Sequence, residues 1–500
     1  MESVALKTIL ALVPFAVLLV GFLLFRMDAL KLSLYVWVLE LVIVIAFYKM
    51  NILDSFKASI WGNITIWNGF LVLWTGQIFG QCFRSTGALK TLLNTLNRLL
   101  PTQTGKAVTL CSVVGGYIGA FNGFATYPVT IPGLVNLGIS GFRAAVGYLV
   151  YFSWSIAFVS LFIAATIAST VTKLPIEQIV GTMGLLTLPL VIVSVVGFFK
   201  ILGFSLKDKD NLAIATLTII GNMLAVILFT QIFPGLYILT LIAAATFSFI
   251  ALWLFSKKYD KSAYTEEEGV EHFSTGTVLK AFAPLIGGAL VVVLFSYPLK
   301  ALIAKGAFSL SLWGYAPTNI NILNTPGFYV FLTALLCYVF PIKKTSTFLK
   351  DFAIASKRSV PSLITLFLGG AMVNLMLDTA QIGVLAQQMS QWGASVYGVL
   401  LSGLGFLAGM AFGQGIPACA MFSRMQMGAA ELINVSPAVL VGIAAMVTMG
   451  PANPLKPSLL RYTSSLAGIK GQDGEMFNLA FKWQFIQLLI IVAMVVLFLV

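Results

Sequence analysis

Long apolar runs alternate with short polar breaks along this chain, and most of the runs have the length of a membrane crossing. A helix rises about 1.5 Å per residue, so crossing a hydrocarbon core of about 30 Å takes about 20 mostly apolar residues. Runs at 8–25, 31–48, 61–83, 143–170, 180–200, 211–231, 234–256, 279–297, 327–341, 360–378, 436–449 and 478–500 approach or meet that length. Residues 85–100 and 379–392 instead carry apolar residues at helical spacing on one face, which predicts amphipathic helices, the first closed by Pro101. Two stretches fit neither pattern. Residues 106–142 hold Gly115, Gly116, Gly119, Gly123, Pro128, Pro132 and Gly133 among apolar residues, and 396–435 hold Gly409, Gly413, Gly415 and Pro417. Glycine and proline break helices, and broken backbone inside a bilayer survives only where protein or a wet cavity satisfies it. Each stretch is therefore expected to be broken within the membrane.

The totals agree with a membrane protein. Of 500 residues, 59% are hydrophobic and 9% charged, with mean hydropathy +0.98. Residues 8–25 run on into further spans without a cleavage pattern, so no cleavable signal is expected. Cys82, Cys111, Cys337 and Cys419 lie in or beside apolar runs and read as packing residues, and His272 is the single histidine, so no metal site is expected. The net charge of +13 does not call for nucleic acid, because Lys and Arg gather in cytoplasmic loops.

That tendency orients the chain. Loop 342–358 holds Lys343, Lys344, Lys350, Lys357 and Arg358 and is placed in the cytoplasm; alternation then puts 257–278 and 201–210 on the same side. Their own basic residues, Arg84, Lys90, Arg98 and Lys106, and Lys456, Arg461 and Lys470, put 84–106 and 450–477 there too. All but seven of the 30 Lys and Arg residues fall there, the exceptions being Lys7, Lys49, Lys57, Lys173, Lys300, Lys305 and Arg424. The parity works only if 106–142 and 396–435 enter and return as re-entrant hairpins. Both termini come out extracytoplasmic. The expected architecture is an all-α polytopic membrane protein with about 11–12 full spans, two re-entrant hairpins and inverted repeats. It divides into 1–60 (N-terminal spans), 61–200 (first unit, hairpin 106–142), 201–341 (connecting spans, cytoplasmic loop 257–278), 342–477 (second unit, hairpin 396–435) and 478–500 (last span). Inverted repeats with midplane breaks mark secondary transporters.

At this point the residues resemble a family. The runs Trp67 to Gln77, Ser85-Thr86-Gly87-Ala88-Leu89 and Gly119-Ala120-Phe121-Asn122-Gly123-Phe124 with Pro128, then Met421-Phe422 and Gln426 through Pro451, and Leu466-Ala467-Gly468-Ile469-Lys470-Gly471 with Glu475, are similar to the L-lactate permease family. The resemblance implies a secondary permease for small 2-hydroxy monocarboxylates such as L-lactate or glycolate, driven by a proton gradient, in a superfamily whose paired hairpins often move as an elevator. Departures are visible. Asn122 stands where the family usually has a glutamate, which excludes proton coupling through that position, and two residues are missing before Pro128. Gly413-Gln414-Gly415-Ile416-Pro417-Ala418-Cys419-Ala420 replaces a Ser/Asn/Thr-rich hairpin, and Arg424, Lys456 and Arg461 stand where uncharged residues are expected.

The chemistry follows from the breaks. A broken helix aims the N-terminus of its second half at the gap, with free N–H groups and roughly half a positive charge. The substrate-binding candidates are Asn122, Gly123, Thr126, Tyr127 and Pro128 in the first hairpin, Gly413, Gln414, Gly415 and Arg424 in the second, and Asn453 in the Pro451-Ala452-Asn453-Pro454 break. The competing reading is close helix packing by small residues, with Arg424 snorkelling to headgroups and Lys456 and Arg461 as cytoplasmic anchors. Coupling-ion candidates are Glu40 and Asp378, Asp378 reading equally as a helix cap; either a proton or sodium fits. No HExxH, Ser/His constellation or nucleotide-binding loop occurs, so neither an enzyme nor a primary pump is expected, and no cofactor. The expected partners are a small organic anion, a coupling ion and the bilayer of the cell membrane; a homodimer is left open. A dicarboxylate or sugar-acid permease, an anion channel and a membrane-embedded enzyme are the alternatives.

Overall fold

The computed structural model describes residues 4–25, 27–96, 98–259, 273–343, 345–412, 415–469 and 471–499. Gly413, Gln414 and His272 lie outside the described residues. The chain opens with α1 (Val4–Leu23) and α2 (Ala29–Ala46), the latter capped by Asp28. α3 (Ile52–Thr65) and α4 (Trp67–Ser85) form one bent crossing that starts earlier than the apolar run at 61–83 suggests. Asn51 caps it, and its Asp54 and Lys57 form a salt bridge, which masks the first turns from a hydropathy reading. The short α5 (Ala88–Leu96) is the expected amphipathic helix.

The first broken stretch folds back on itself. α6 (Gln103–Val108), a π-helical turn (Thr109–Val114) and α7 (Gly115–Phe121) form one arm, and α8 (Tyr127–Asn136) returns. At the base, Gln103 Nε2 donates to Leu137 O at 2.6 Å. Higher up, a Cβ at Gly133 would lie 2.5 Å from Leu110 Cδ2, so glycine lets the arms close. A span of α9 (Gly141–Phe152) and α10 (Val159–Thr172) follows, with an irregular turn between them. Next come α11 (Ile176–Leu202), α12 (Lys209–Ile227), α13 (Thr240–Ser256), α14 (Thr275–Ser296) and α15 (Lys300–Ala304). A two-stranded antiparallel hairpin, Phe308–Leu310 with Thr318–Ile320, departs from the all-helical expectation; Trp313 and Gly314 make its turn at positive φ.

α16 (Pro326–Val339), α17 (Phe348–Asp378) and the short α18 (Gln381–Ser390) lead to the second hairpin. Its arms are α19 (Ala394–Ala411) and α20 (Gly415–Leu432), tied near the base by Tyr397 OH donating to Gln426 Oε1 at 2.7 Å. α21 (Pro437–Met449), α22 (Pro457–Leu466) and α23 (Asp473–Leu499) complete the chain. The stretch 450–477 is not the loop expected from its polarity: α22 is a helix, and Gly450–Lys456 turn inside the protein.

Among the described residues, 11 helices have the length and hydropathy of a span; that set includes α19 and leaves out the α3–α4 crossing and α16. The hairpins and their following spans form the centre. In Gly141–Thr172 and Pro437–Leu455, 89% of the apolar window is buried, against 28% for Val4–Phe22 and Thr275–Ser296. α17 packs along α2, α3 and α4 as a second layer. It crosses α3 closely: a Cβ at Gly62 would lie 2.5 Å from Gly370 O. Such approaches are how helices associate in lipid, where apolar surface alone gives little drive. Segments expected on the cytoplasmic side meet in pairs. Ile342 N and Lys343 N donate to Thr86 O at 3.0 and 3.1 Å, and Tyr259 OH donates to Asp210 at 2.7 Å.

The crossing supplies a stability test. Gly62→Ala drives a methyl into a backbone carbonyl and costs about 1–3 kcal/mol by overpacking. It should lower the melting temperature in detergent. Gly383→Ala on α18, with nothing within 4 Å of the added Cβ, should not.

Candidate functional site

Four helix interruptions converge at the centre. The first is Asn122, whose extended backbone (φ −155°, ψ 107°) ends α7. Its Oδ1 accepts from Phe124 N at 3.0 Å, and its Nδ2 donates to Gly76 O on α4. The side chain therefore caps the hairpin tip and ties it to α4. Gly76 and Gly80 make room for that tip, since a Cβ at Gly76 would lie 3.1 Å from Asn122 Cγ and one at Gly80 3.0 Å from Ala125 Cβ. The second interruption is the tip between Phe412 and Gly415. The third lies between α9 and α10, where Ser153–Phe158 form a 3₁₀ turn and Ser160, Leu161 and Phe162 take φ of 52°, 56° and 65°. Three consecutive non-glycine residues in the left-handed region cost roughly 1–2 kcal/mol each, strain that characteristically gathers at functional sites. The fourth is Gly450–Lys456, which includes Pro451-Ala452-Asn453-Pro454.

Between them lies a cavity of about 70 Å³. Its apolar walls come from Val72, Leu73, Phe124, Phe152, Ile156, Val159, Ile163, Ile416, Met449 and Leu459, and its polar groups from Asn122, Tyr127, Ser160, Asn453 and Lys456. Apolar walls with a few convergent polar groups are the usual make-up of a small-molecule site. Lys456 is the one charged residue of the lining, is only 3% exposed, and has no ion pair among the described residues. A Cβ placed on Gly415 would lie 3.5 Å from its Nζ, so the ammonium stands against the start of α20. The N-termini of α8, α20 and α22 begin at the cavity wall and add partial positive charge of their own. Tyr127 is held in an aromatic nest, its ring centroid 5.5 Å from Tyr148, 5.8 Å from Phe152 and 6.5 Å from Tyr462.

The candidates read from the sequence divide accordingly. Asn122, Gly123, Tyr127, Gly415 and Asn453 line the cavity. Asn122 is committed to backbone groups on both sides, so its position is structural as well as central. Thr126 does not line the cavity; it is fully buried and its Oγ1 donates to Gly123 O at 2.7 Å. Pro128 opens α8 and is not part of the lining. Gly413 and Gln414 fall outside the described residues. Arg424 also lies away from the cavity, about halfway along α20. Asp378 is exposed and accepts from Tyr315 OH; it does not cap α18, whose N-cap position, Ala380, makes no side-chain hydrogen bond. Glu40 is fully buried on α2 and accepts from Gln381 Nε2 at 2.5 Å, also away from the cavity. No group of His, Cys, Asp and Glu that could hold a metal occurs among the described residues.

Two features escaped the sequence reading. Lys456 reads as a cytoplasmic anchor because Lys and Arg gather at cytoplasmic ends, yet the break before it turns it inward. The α9–α10 interruption contains neither glycine nor proline, and its serines at 153, 155 and 160 are a weak signal in an apolar run.

The L-lactate permease family model matches residues 7–500. This chain belongs to the L-lactate permease family. No curated protein matches it. Among solved structures it is similar to the YdaH transporter of Alcanivorax borkumensis, at 14% identity and a TM-score of 0.39, over 87% of this chain and 86% of that one. The permease is thus a multi-pass membrane transport protein for a small organic anion, and not an enzyme.

The uncompensated cation makes a sharp stability prediction. A charge held in the apolar zone costs several kcal/mol. Lys456→Met should therefore raise the melting temperature of the purified permease, whereas Asn122→Ala, which removes a cap, should lower stability by about 1 kcal/mol. A lower melting temperature for Lys456→Met would mean that the ammonium has a stabilising partner.

Proposed function

We propose that the permease is a secondary active transporter for small 2-hydroxy monocarboxylates such as L-lactate or glycolate, and that the cavity between the hairpin tips is its substrate site. The observation that carries this reading is Lys456: a buried cation without an ion-pair partner among the described residues, standing against the start of α20. One carboxylate neutralises it, forming a charge-assisted hydrogen bond. A single cation suits a monocarboxylate better than a dicarboxylate. Ser160, Tyr127 and Asn453 offer polar groups for a 2-hydroxyl, and the aliphatic wall suits the methyl of lactate.

We read 61–200 and 342–477 as two units of opposite orientation, whose hairpins and broken spans move together against the layer of α2, α3, α4 and α17 in an elevator-like transition. Coupling to a proton or sodium gradient remains assigned to Glu40 or Asp378 as candidates. Glu40 fits better, being buried with an unpartnered Oε2, whereas Asp378 is exposed. A homodimer is compatible with this reading.

The test is uptake of labelled L-lactate into proteoliposomes under imposed proton or sodium gradients in separate runs, with unlabelled glycolate, pyruvate, malate and gluconate as competitors. Saturable uptake is expected, competed most strongly by glycolate. Lys456→Met should reduce it at least about tenfold, the loss of one charge-assisted contact. Arg424→Ala should retain saturable uptake. Wild-type rates in Lys456→Met would overturn the site, and absence of saturable uptake of every compound would overturn the substrate class.

A further inference from the structure

We propose that a basic vestibule joins the cytoplasmic face to the hairpin-tip cavity, and that Arg84 and Arg358 form an outer carboxylate site along it. The proposal rests on the reading that the tip cavity takes an anion, and adds the route and a second binding position.

A larger cavity of about 440 Å³ adjoins the first and shares Phe124, Asn453, Lys456 and Leu459 with it. Its other walls include Arg358 from α17 and Tyr462 from α22. It opens toward the face that carries the basic loops, since Arg358 lies three turns into α17 from loop 340–347 and Arg84 is one residue from the end of α4 beside Thr86. The two arginines share one acceptor. Gln81 Oε1 accepts from Arg358 Nη1 at 3.0 Å and from Arg84 Nη2 at 3.4 Å. The same amide donates through Nε2 to Asp351 at 3.1 Å. Asp351 is further engaged by the hydroxyls of Ser85 and Tyr338. Gln81 therefore stands between the buried acid and the two guanidinium groups, and neither arginine has a carboxylate within ion-pair distance among the described residues.

A guanidinium carries five N–H donors, and a shared amide oxygen occupies one from each. Two cations brought to one neutral acceptor repel, and an incoming carboxylate relieves that repulsion while offering two acceptor oxygens. Asp28, the one acid of the vestibule lining, is occupied: its Oδ1 accepts from Leu30 N at 3.0 Å and Lys31 N at 3.4 Å. The general enrichment of Lys and Arg at cytoplasmic ends explains basic residues near this face. It does not explain two arginines turned onto one glutamine, one of them, Arg358, in the wall of a cavity that ends on a buried lysine. A cleft whose lining is net positive concentrates anions and speeds their arrival.

The test reads local potential and access without requiring transport. The four cysteines, Cys82, Cys111, Cys337 and Cys419, are buried, so a single accessible thiol is introduced by Ser458→Cys on the exposed start of α22. Its reaction with membrane-impermeant anionic and cationic methanethiosulfonates of similar size is timed from each side of the membrane, relative to a small thiol in solution. The expected result is labelling from the cytoplasmic side alone, with the anionic reagent favoured several-fold. Arg84→Gln with Arg358→Gln should abolish that preference, Arg358→Gln alone should leave an intermediate one, and Arg84→Lys with Arg358→Lys should restore it. Equal rates for the two reagents, labelling from the opposite side, or a preference unchanged in the double glutamine variant would overturn the vestibule. A protein that shows the preference yet takes up no lactate keeps the vestibule and loses the proposed substrate.

Discussion

Every backbone N–H and C=O in the hydrocarbon zone must find a partner inside the protein, and this permease interrupts four helices there. None of the four can face lipid. They are therefore gathered at one place, each covered by the spans around it. Asn122 supplies an acceptor to Phe124 N and a donor to Gly76 O, and so settles two of those groups with one side chain. The glycines of α4 exist at the positions that this close approach needs. The near-complete burial of the α9–α10 and α21 spans follows from the same constraint, as does the placing of longer, uninterrupted helices around them.

Gathering the breaks also gathers positive potential. Helix N-termini at the tips carry partial charge, and the buried Lys456 adds an amine beside the start of α20. Such a site is poorly stable when empty and well matched when it holds an anion. Stability and function pull against each other at one residue, a common compromise in binding sites. Arg424 illustrates the contrast. It is a cation in the same hairpin, but it does not line the cavity.

The strain between α9 and α10 points to motion or fit at the same centre. Ser160, Leu161 and Phe162 hold left-handed conformations that an isolated chain would abandon; the packing of Phe162 against Phe158 and Tyr237, at 4.5 and 5.6 Å between ring centroids, helps hold them. Val159, at the start of this segment, touches Gly123 of the first tip, so the strained backbone and the hairpin cannot shift independently.

The sequence by itself determined the class of the protein and the two hairpins. Span length, helix breakers and the sidedness of Lys and Arg are local properties, each written in contiguous residues such as Gly115–Gly133 or Lys343–Arg358. Family membership was legible for the same reason, through runs such as Gly119–Phe124. Tertiary structure alone decided which residues meet. Asn122, Tyr127, Gly415 and Asn453 line one cavity, while Thr126 turns its hydroxyl to its own backbone and Arg424 lies elsewhere. Lys456 reads as a cytoplasmic anchor from the sidedness of basic residues; only the turn at Gly450–Pro454 carries it inward. The α9–α10 break has no glycine or proline to announce it, because its conformation is imposed by neighbours from distant parts of the chain. Local chemistry sets where a helix can break, but the partner that satisfies the break is chosen by packing across hundreds of residues.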